Sequence, residues 1–291
     1  KNLVIFKDMI GKVVASGFDG IFVVASNPVD VTTYATMKYS GFPANKVIGS
    51  GTTLDTSRFK KQIGDLLDVD YRSVHAYIMG EHGDTEFPVW SNANVGGLSI
   101  EEWKSTHPNI SQESLDAAFD KTVNAAYEII NKKGATFYGI GTALSSIARA
   151  ILNDENTVFL TSSYLNGEFG LKDIHIGVPT VIGKSGVAHI IEVPLSDKEQ
   201  EQLEHSARTL REIIDNKYWK RLENGEIDRD EVLLGRFREF FTKYNIDYDD
   251  NLVENFNLNF QKELGRQVFF HDHAKEVLNE LKNNYKQYAV T

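Results

Sequence analysis

The chain contains no cysteine, which excludes a disulfide framework and thiolate chemistry together. A thiol-free sequence suits a reducing compartment, and a cytoplasmic location is expected. No apolar run reaches the roughly 18 to 20 residues that a membrane-spanning helix needs, and no signal-peptide pattern opens the chain. Positive charge is scarce: 31 Lys and Arg stand against 41 Asp and Glu, for a formal net charge of -10. Phosphate backbones are recognised by clustered cations, and no basic stripe exists here, so nucleic acid is excluded as a partner. Internal repeats and low-complexity linkers are missing too. What is present is an ordinary globular composition, 41% apolar and 25% charged over 291 residues, enough for two domains with a real core. The chain opens at Lys1 without a Met and stops in the apolar run Tyr288-Ala289-Val290-Thr291, and both ends are expected to be cut ends.

Leu3, Phe6, Ile10, Val13 and Val14 recur at helical spacing before Gly17, which predicts an amphipathic helix over 3–16. Gly20-Ile21-Phe22-Val23-Val24-Ala25 is a β-branched run of the kind found in a buried parallel strand. Asn27 and Pro28 then fit the cap and first position of a new helix. A strand at 46–49 leads through Ser50-Gly51 into a helix over 54–67, and a strand at 73–79 ends in Gly80-Glu81-His82-Gly83-Asp84. Such alternation predicts an α/β unit with a parallel sheet, whose ligands sit at the carboxyl ends of the strands, where Asn27, Ser50 and His82 all fall. Further on, long helices are predicted at 112–133 and 136–152, and strands at 156–165 and 168–176 are joined at Asn166-Gly167, a hairpin signal. A second hairpin is predicted at Lys184-Ser185-Gly186, and a capping box, Ser196 with Glu199, opens a helix to about 214. After 215 the texture turns to aromatic-rich helical segments at 217–223, 229–243, 250–262 and 273–284, with a strand at 286–290.

Hydride transfer between a carbon and a nicotinamide needs a group that moves the hydroxyl proton, a partner that fixes that group's tautomer, and a cation for a substrate carboxylate. His82 is a candidate for the first and Asp55 for the second, since histidine titrates near neutral pH and an aspartate against its other nitrogen orients it. Asp55 and Arg58 are three apart on one helix and share a face, and the guanidinium fork of Arg58 matches a carboxylate. Taken singly, each has an ordinary structural explanation: a loop histidine, a solvated ion pair, a helix cap. Their common place at strand ends is what points to a site. Gly49-Ser50-Gly51-Thr52-Thr53-Leu54 imitates a dinucleotide fingerprint but lacks its third glycine. His271-Asp272-His273 has no further ligand cluster beside it and reads as a helix cap, so no metal site is expected.

Ala25-Ser26-Asn27-Pro28-Val29-Asp30, Gly49 through Phe59, Gly80-Glu81-His82-Gly83-Asp84-Thr85-Glu86, Pro88-Val89-Trp90-Ser91 and Lys133-Gly134-Ala135-Thr136 together resemble the L-lactate dehydrogenases over about residues 1–214. The Pro-Val-Trp-Ser stretch favours that branch over the malate enzymes. The resemblance implies a partial Rossmann-type parallel sheet over 1–48, an α+β catalytic and substrate domain over 49–214, and a helical appendage over 215–291. It implies NAD as cofactor and pyruvate and lactate as substrates, as in glycolysis and pyruvate fermentation, in a homotetramer or other homo-oligomer. By it, His82 is the acid/base, Asp55 orients it, Arg58 clamps the carboxylate, and Asn27 and Thr136 contact substrate. Ala25, Ser26, Asn27 and Ser50 line the nicotinamide end. Lys60 and His75 stand where some members bind the effector fructose 1,6-bisphosphate; a lysine lacks arginine's fork, which predicts weak activation.

The family's GxGxxG turn, its ribose-binding acid and its carbonyl-polarising arginine are not in this sequence, so little turnover is expected. Residues from about 213, through Asn216-Lys217-Tyr218-Trp219-Lys220-Arg221-Leu222-Glu223 to Val290-Thr291, resemble the helical cap of a haloacid-dehalogenase-like phosphatase. A deletion or a mis-joined assembly is expected at the junction 213–217. Two competing classes remain, a phosphatase or nucleotidase fragment and a non-catalytic oligomer-assembly module.

Overall fold

A computed structural model describes residues 2–108, 110–133, 137–214 and, beyond 215, 234–235, 237–238, 241–242 and 246–266. The chain forms two compact units, one of Ile10–Ile214 and one of Lys1–Met9 with Asp215–Thr291.

The first helix, α1 (Asn2–Ala15), ends at Gly17, whose φ of 81° makes it a left-handed stop. The first strand, β1 (Phe22–Val24), pairs in parallel with β2 (Val47–Gly49), and α2 (Val29–Ser40) is the crossover between them. One correction concerns Pro28, which takes the cap position of α2 rather than its first turn; the Asn27–Pro28 peptide is cis. Both strands are buried because helices and neighbouring strands cover them, which explains their unbroken apolar sequence.

Parallel pairing stops there. The same sheet continues from β2 to β8 (Thr157–Asn166), β9 (Lys172–Gly183) and β10 (Gly186–Ile190), all antiparallel. The strand expected at 73–79 is broken into β3 (Val74–His75) and β4 (Ile78–Met79), which enter different small sheets with β6 (Asn94–Val95) and β7 (Leu98–Ser99), and with β5 (Phe87–Pro88). The run Ser73–Met79 carries no information about its partners, so its division was not legible. His82 therefore leaves a short antiparallel strand, not a parallel one. The Asn166-Gly167 signal does mark a hairpin, but its loop is wider, a tight helical turn at Glu168–Gly170 that delays β9 to residue 172. The turn at Lys184-Ser185 closes β9 on β10 with Gly183 opposite Gly186.

Helices α5 (Gln112–Lys133) and α6 (Tyr138–Asn153) lie where expected. The helix α3 (Thr53–Leu67) places Phe59, Ile63 and Leu67 in one i, i+4 row, packed with Val74, Ile78 and Leu115. Asp55 is the first member of that row and is carried into the interior with it. Helix α7 (Asp197–Ile214) opens with the expected capping box: the Glu199 amide donates to Ser196 Oγ at 3.4 Å and the Ser196 amide to Glu199 Oε2 at 2.9 Å. In the second unit, Phe237, Phe241 and Val253 are buried, the last on a helix Asp250–Arg266, and Arg238 pairs with Asp250 at 2.8 Å. The expected helices at 217–223 and 273–284, the strand at 286–290 and the His271–His273 cap lie outside the described residues.

Candidate active site

Three chain segments meet around the end of β2. Ser50 is buried, and its amide donates to the Val24 carbonyl at 2.8 Å, so the ends of β1 and β2 are tied together. Ala25 and Asn27 emerge exposed just beyond, with Ser26 half-buried between them. The turn after Ser50 is possible only with glycine: Gly51 has φ of 52°, and a Cβ there would lie 2.4 Å from the Ser162 amide nitrogen. That close approach presses α3 against β8 and starts the helix that delivers Asp55 and Arg58.

Asp55 is 4% exposed. Its Oδ2 lies 2.7 Å from His82 Nδ1, and its Oδ1 lies 3.3 Å from Arg58 Nη1. The histidine contact is an ion pair rather than an aligned hydrogen bond, since neither Oδ2 nor Nδ1 has an aligned hydrogen-bond partner. With Nδ1 against the aspartate, Nε2 is left on the open side of the ring. Glu86 Oε2, also buried, stands 3.9 Å from the same Nδ1. Burial alone would favour neutral imidazole; the Asp55 contact and charge, with Glu86 and Asp30 behind them, outweigh it and raise His82 from 6.5 to about 9. Burial and the Asp55 charge push the Glu86 carboxyl up, while His82 and Arg58 pull it back. The carboxylates around His82 favour the imidazolium over neutral imidazole. Asp55 Oδ2, His82 Nδ1 and Glu86 Oε2 lie within 4.8 Å of one another.

The structure thus brings His82, Asp55 and Arg58 together, with Ala25, Ser26, Asn27 and Ser50 at the neighbouring strand ends. Thr136 lies outside the described residues. Lys60 lines a separate cavity of about 410 Å³ with Thr53, Ser57, Tyr77, Thr142 and Ser146, where burial lowers its pKa. His75 is exposed on β3 and does not line that cavity. Composition and spacing did not single out Asp30, Glu86, Ser162 or Ser206, whose roles depend on contacts across 52 to 132 residues of sequence or on burial. An acid in the first turn of α2, beside Pro28, was the one available signal.

Residues 52–220 match the lactate/malate dehydrogenase alpha/beta C-terminal domain, and residues 1–49 match the NAD binding domain of the same family. The chain belongs to the lactate/malate dehydrogenases. Among its relatives, the L-lactate dehydrogenase of Lacticaseibacillus casei is 56% identical over 220 residues, 76% of this chain and 68% of the relative. That of Latilactobacillus sakei is 58% identical over 214 residues, 74% of this chain and 66% of the relative. The crystal structure of the minor L-lactate dehydrogenase from Enterococcus mundtii, in its ligands-bound form, superposes with a TM-score of 0.72 at 48% identity, covering 74% of this chain and 69% of that one. A lactate dehydrogenase from a deep-sea metagenome library gives the same TM-score at 47% identity, covering 74% of this chain and 68% of that one. This chain spans about two thirds of the length of these relatives. The fold is the family's: a Rossmann-type segment followed by its α+β C-terminal domain. Membership makes the chain an oxidoreductase of the L-lactate dehydrogenase type, in a family that uses NAD, binds pyruvate and lactate, and is generally oligomeric. The matches give no support to a chain without turnover, to a phosphohydrolase or to an assembly module, and none to a phosphatase cap after 215. Among the described residues no helix is long and apolar enough to cross a membrane.

Proposed function

We propose that this chain interconverts pyruvate and L-lactate with His82 as the proton donor and acceptor. The observation that carries the reading is the 2.7 Å contact between His82 Nδ1 and the buried Asp55, with Arg58 on the other carboxylate oxygen. Asp55 holds the imidazolium with Nε2 outward, where that nitrogen can donate to the carbonyl oxygen of pyruvate and recover the proton from lactate. Arg58, half-buried one turn along α3, pairs with the substrate carboxylate and fixes which carbonyl carbon faces the cofactor.

The Ala25–Asn27 turn beside Ser50 fits the nicotinamide end of NAD, because it lies beyond the last paired residue of β1 with Ala25 and Asn27 exposed. When bound, NAD supplies or takes the hydride. Asn27 and Thr136 complete the substrate contacts. The proposed domain division is a Rossmann remnant over 1–48, a catalytic domain over 49–214 and a helical cap-like segment over 215–291. The family match ends at residue 220, and the phosphatase-cap reading of the segment beyond rests on its sequence alone.

Lys60 draws phosphate as a point charge, and fructose 1,6-bisphosphate is expected to activate weakly, with His75 not among the residues that line the cavity. A homo-oligomer acting in the cytoplasm, as fits glycolysis and fermentation, completes the reading. The test is NADH oxidation with pyruvate by the purified chain beside His82→Ala. Pyruvate-dependent oxidation that the substitution abolishes is the expected result; equal rates in both proteins would remove His82 from the mechanism.

A further inference from the structure

Asp30 is 1% exposed, and both of its carboxylate oxygens are committed. Oδ2 accepts from the backbone amide of His82 at 2.9 Å, and Oδ1 accepts from the hydroxyl of Ser162. Ser162 is the residue of β8 that sits opposite Gly49 at the end of β2. Gly49 is glycine for that reason, since a Cβ there would lie 2.7 Å from Ser162 Cβ and 2.4 Å from Thr33 Oγ1. One carboxylate on the first turn of α2 therefore touches the segment carrying His82 and the strand beside Ser50, and it follows Asn27 by three residues.

The rest of the His82 loop is held by other means. Gly80 exchanges backbone hydrogen bonds of 3.0 and 2.9 Å with Gly177, the Glu81 amide donates to Ser206 Oγ at 2.9 Å, and Ser206 Oγ donates to the Thr85 carbonyl at 2.9 Å. Loss of the Asp30 contact leaves those anchors in place and frees the amide of His82 alone. Burying a carboxylate is costly, and full use of its lone pairs is what makes the site tolerable. An apolar side chain would hold α2 to the sheet without that cost, so the carboxylate needs another reason.

We propose that Asp30 is a positioning residue that fixes the backbone of His82 against the Asn27 turn, and so sets where the imidazole stands relative to substrate. The proposal rests on the reading of His82 as the acid/base and deepens it. A displacement on the order of 1 Å in a reacting group can cost about 100-fold in rate, which is the scale at stake. Asparagine keeps both contacts, its Oδ1 accepting from the His82 amide and its Nδ2 donating to Ser162 Oγ, so it removes the charge and reverses the direction of the serine bond. Alanine removes both contacts. The charged groups around the imidazole are Asp55 and Arg58 from α3, Glu81 and Glu86 from its own loop, and Asp30 from α2.

The experiment compares Asp30→Ala, Asp30→Asn and wild type by pyruvate reduction and by backbone amide hydrogen exchange on the full chain. In Asp30→Ala, kcat is expected to fall by about 10- to 100-fold with the pyruvate KM changed by less than about threefold. The His82 amide is expected to lose protection while the Glu81 amide keeps it. Asp30→Asn is expected to recover most of kcat, with the alkaline limb of its pH profile moved to lower pH. Equal losses in the two variants, or a kcat in Asp30→Ala within threefold of wild type, overturns the proposal. Unchanged His82 exchange in Asp30→Ala overturns it as well, even if the chain reduces no pyruvate. Absence of turnover in wild type, with His82 deprotected in Asp30→Ala, would instead sink the proposed function and leave the positioning role standing.

Discussion

Replacing Asp55 by asparagine tests the electrostatic core of the site. His82 is raised from 6.5 to about 9 against a burial that by itself would lower it. The carboxylate of Asp55, 2.7 Å from Nδ1, is the largest favourable cause. The net rise corresponds to about 3 kcal/mol in favour of the imidazolium, and because burial opposes it the surrounding carboxylates together supply more than that. Asparagine leaves the burial in place, so His82 should titrate below its wild-type value by more than one unit. The sign follows from linkage. The folded state holds a proton that the unfolded chain releases near 6.5, so this stabilisation is fully present below 6.5 and is lost as pH rises through about 9. Pyruvate reduction draws on the same proton, so its rate should fall on that limb, and earlier in Asp55→Asn. The assay is an NMR titration of the His82 ring in both proteins, beside the pH dependence of kcat/KM. A His82 titration unmoved by Asp55→Asn would refute the argument.

Arg58→Lys should raise the pyruvate KM by about tenfold or more with a smaller change in kcat, because an ammonium cannot reproduce the two-pronged contact; steady-state kinetics at fixed NADH read this, and an unchanged KM counts against the clamp. His175 is fully buried between the rings of Tyr34 and Tyr164, and burial lowers it to about 3, so the folded state refuses a proton that the unfolded chain accepts below 6.5. Stability should therefore decline as pH falls from 6.5 toward 3, by at most about 1.4 kcal/mol per unit from this group, and His175→Phe should flatten the slope seen in denaturant midpoints. Gly51→Ala meets both a left-handed backbone and the Ser162 amide at 2.4 Å, and a loss on the order of 3 kcal/mol is expected in chemical denaturation; wild-type stability would show that the turn rearranges freely.

Local patterns in the sequence determined a good deal. The row Phe59, Ile63, Leu67 made α3 legible, the Ser196–Glu199 box marked the start of α7, and Lys184-Ser185 marked a hairpin, because each depends on residues within one or two turns of chain. His82, Asp55 and Arg58 were identifiable as chemistry before any contact was known, since their side chains suit the roles and Asp55 and Arg58 must share a helix face. Strand pairing was not legible. The run 73–79 divides between two sheets through partners at 94–95 and 87–88, and the sheet beyond β2 turns antiparallel on a partner more than 100 residues away. The same holds for Asp30. Nothing in its sequence neighbourhood names its partners; only the folding of β8 and the His82 loop onto α2 puts an amide and a hydroxyl on its two oxygens. Sequence fixes which groups are available and which short helices and turns carry them. Tertiary structure decides which charges share a low-dielectric space, and it is what brings a loop histidine and a helix aspartate within 2.7 Å of one another.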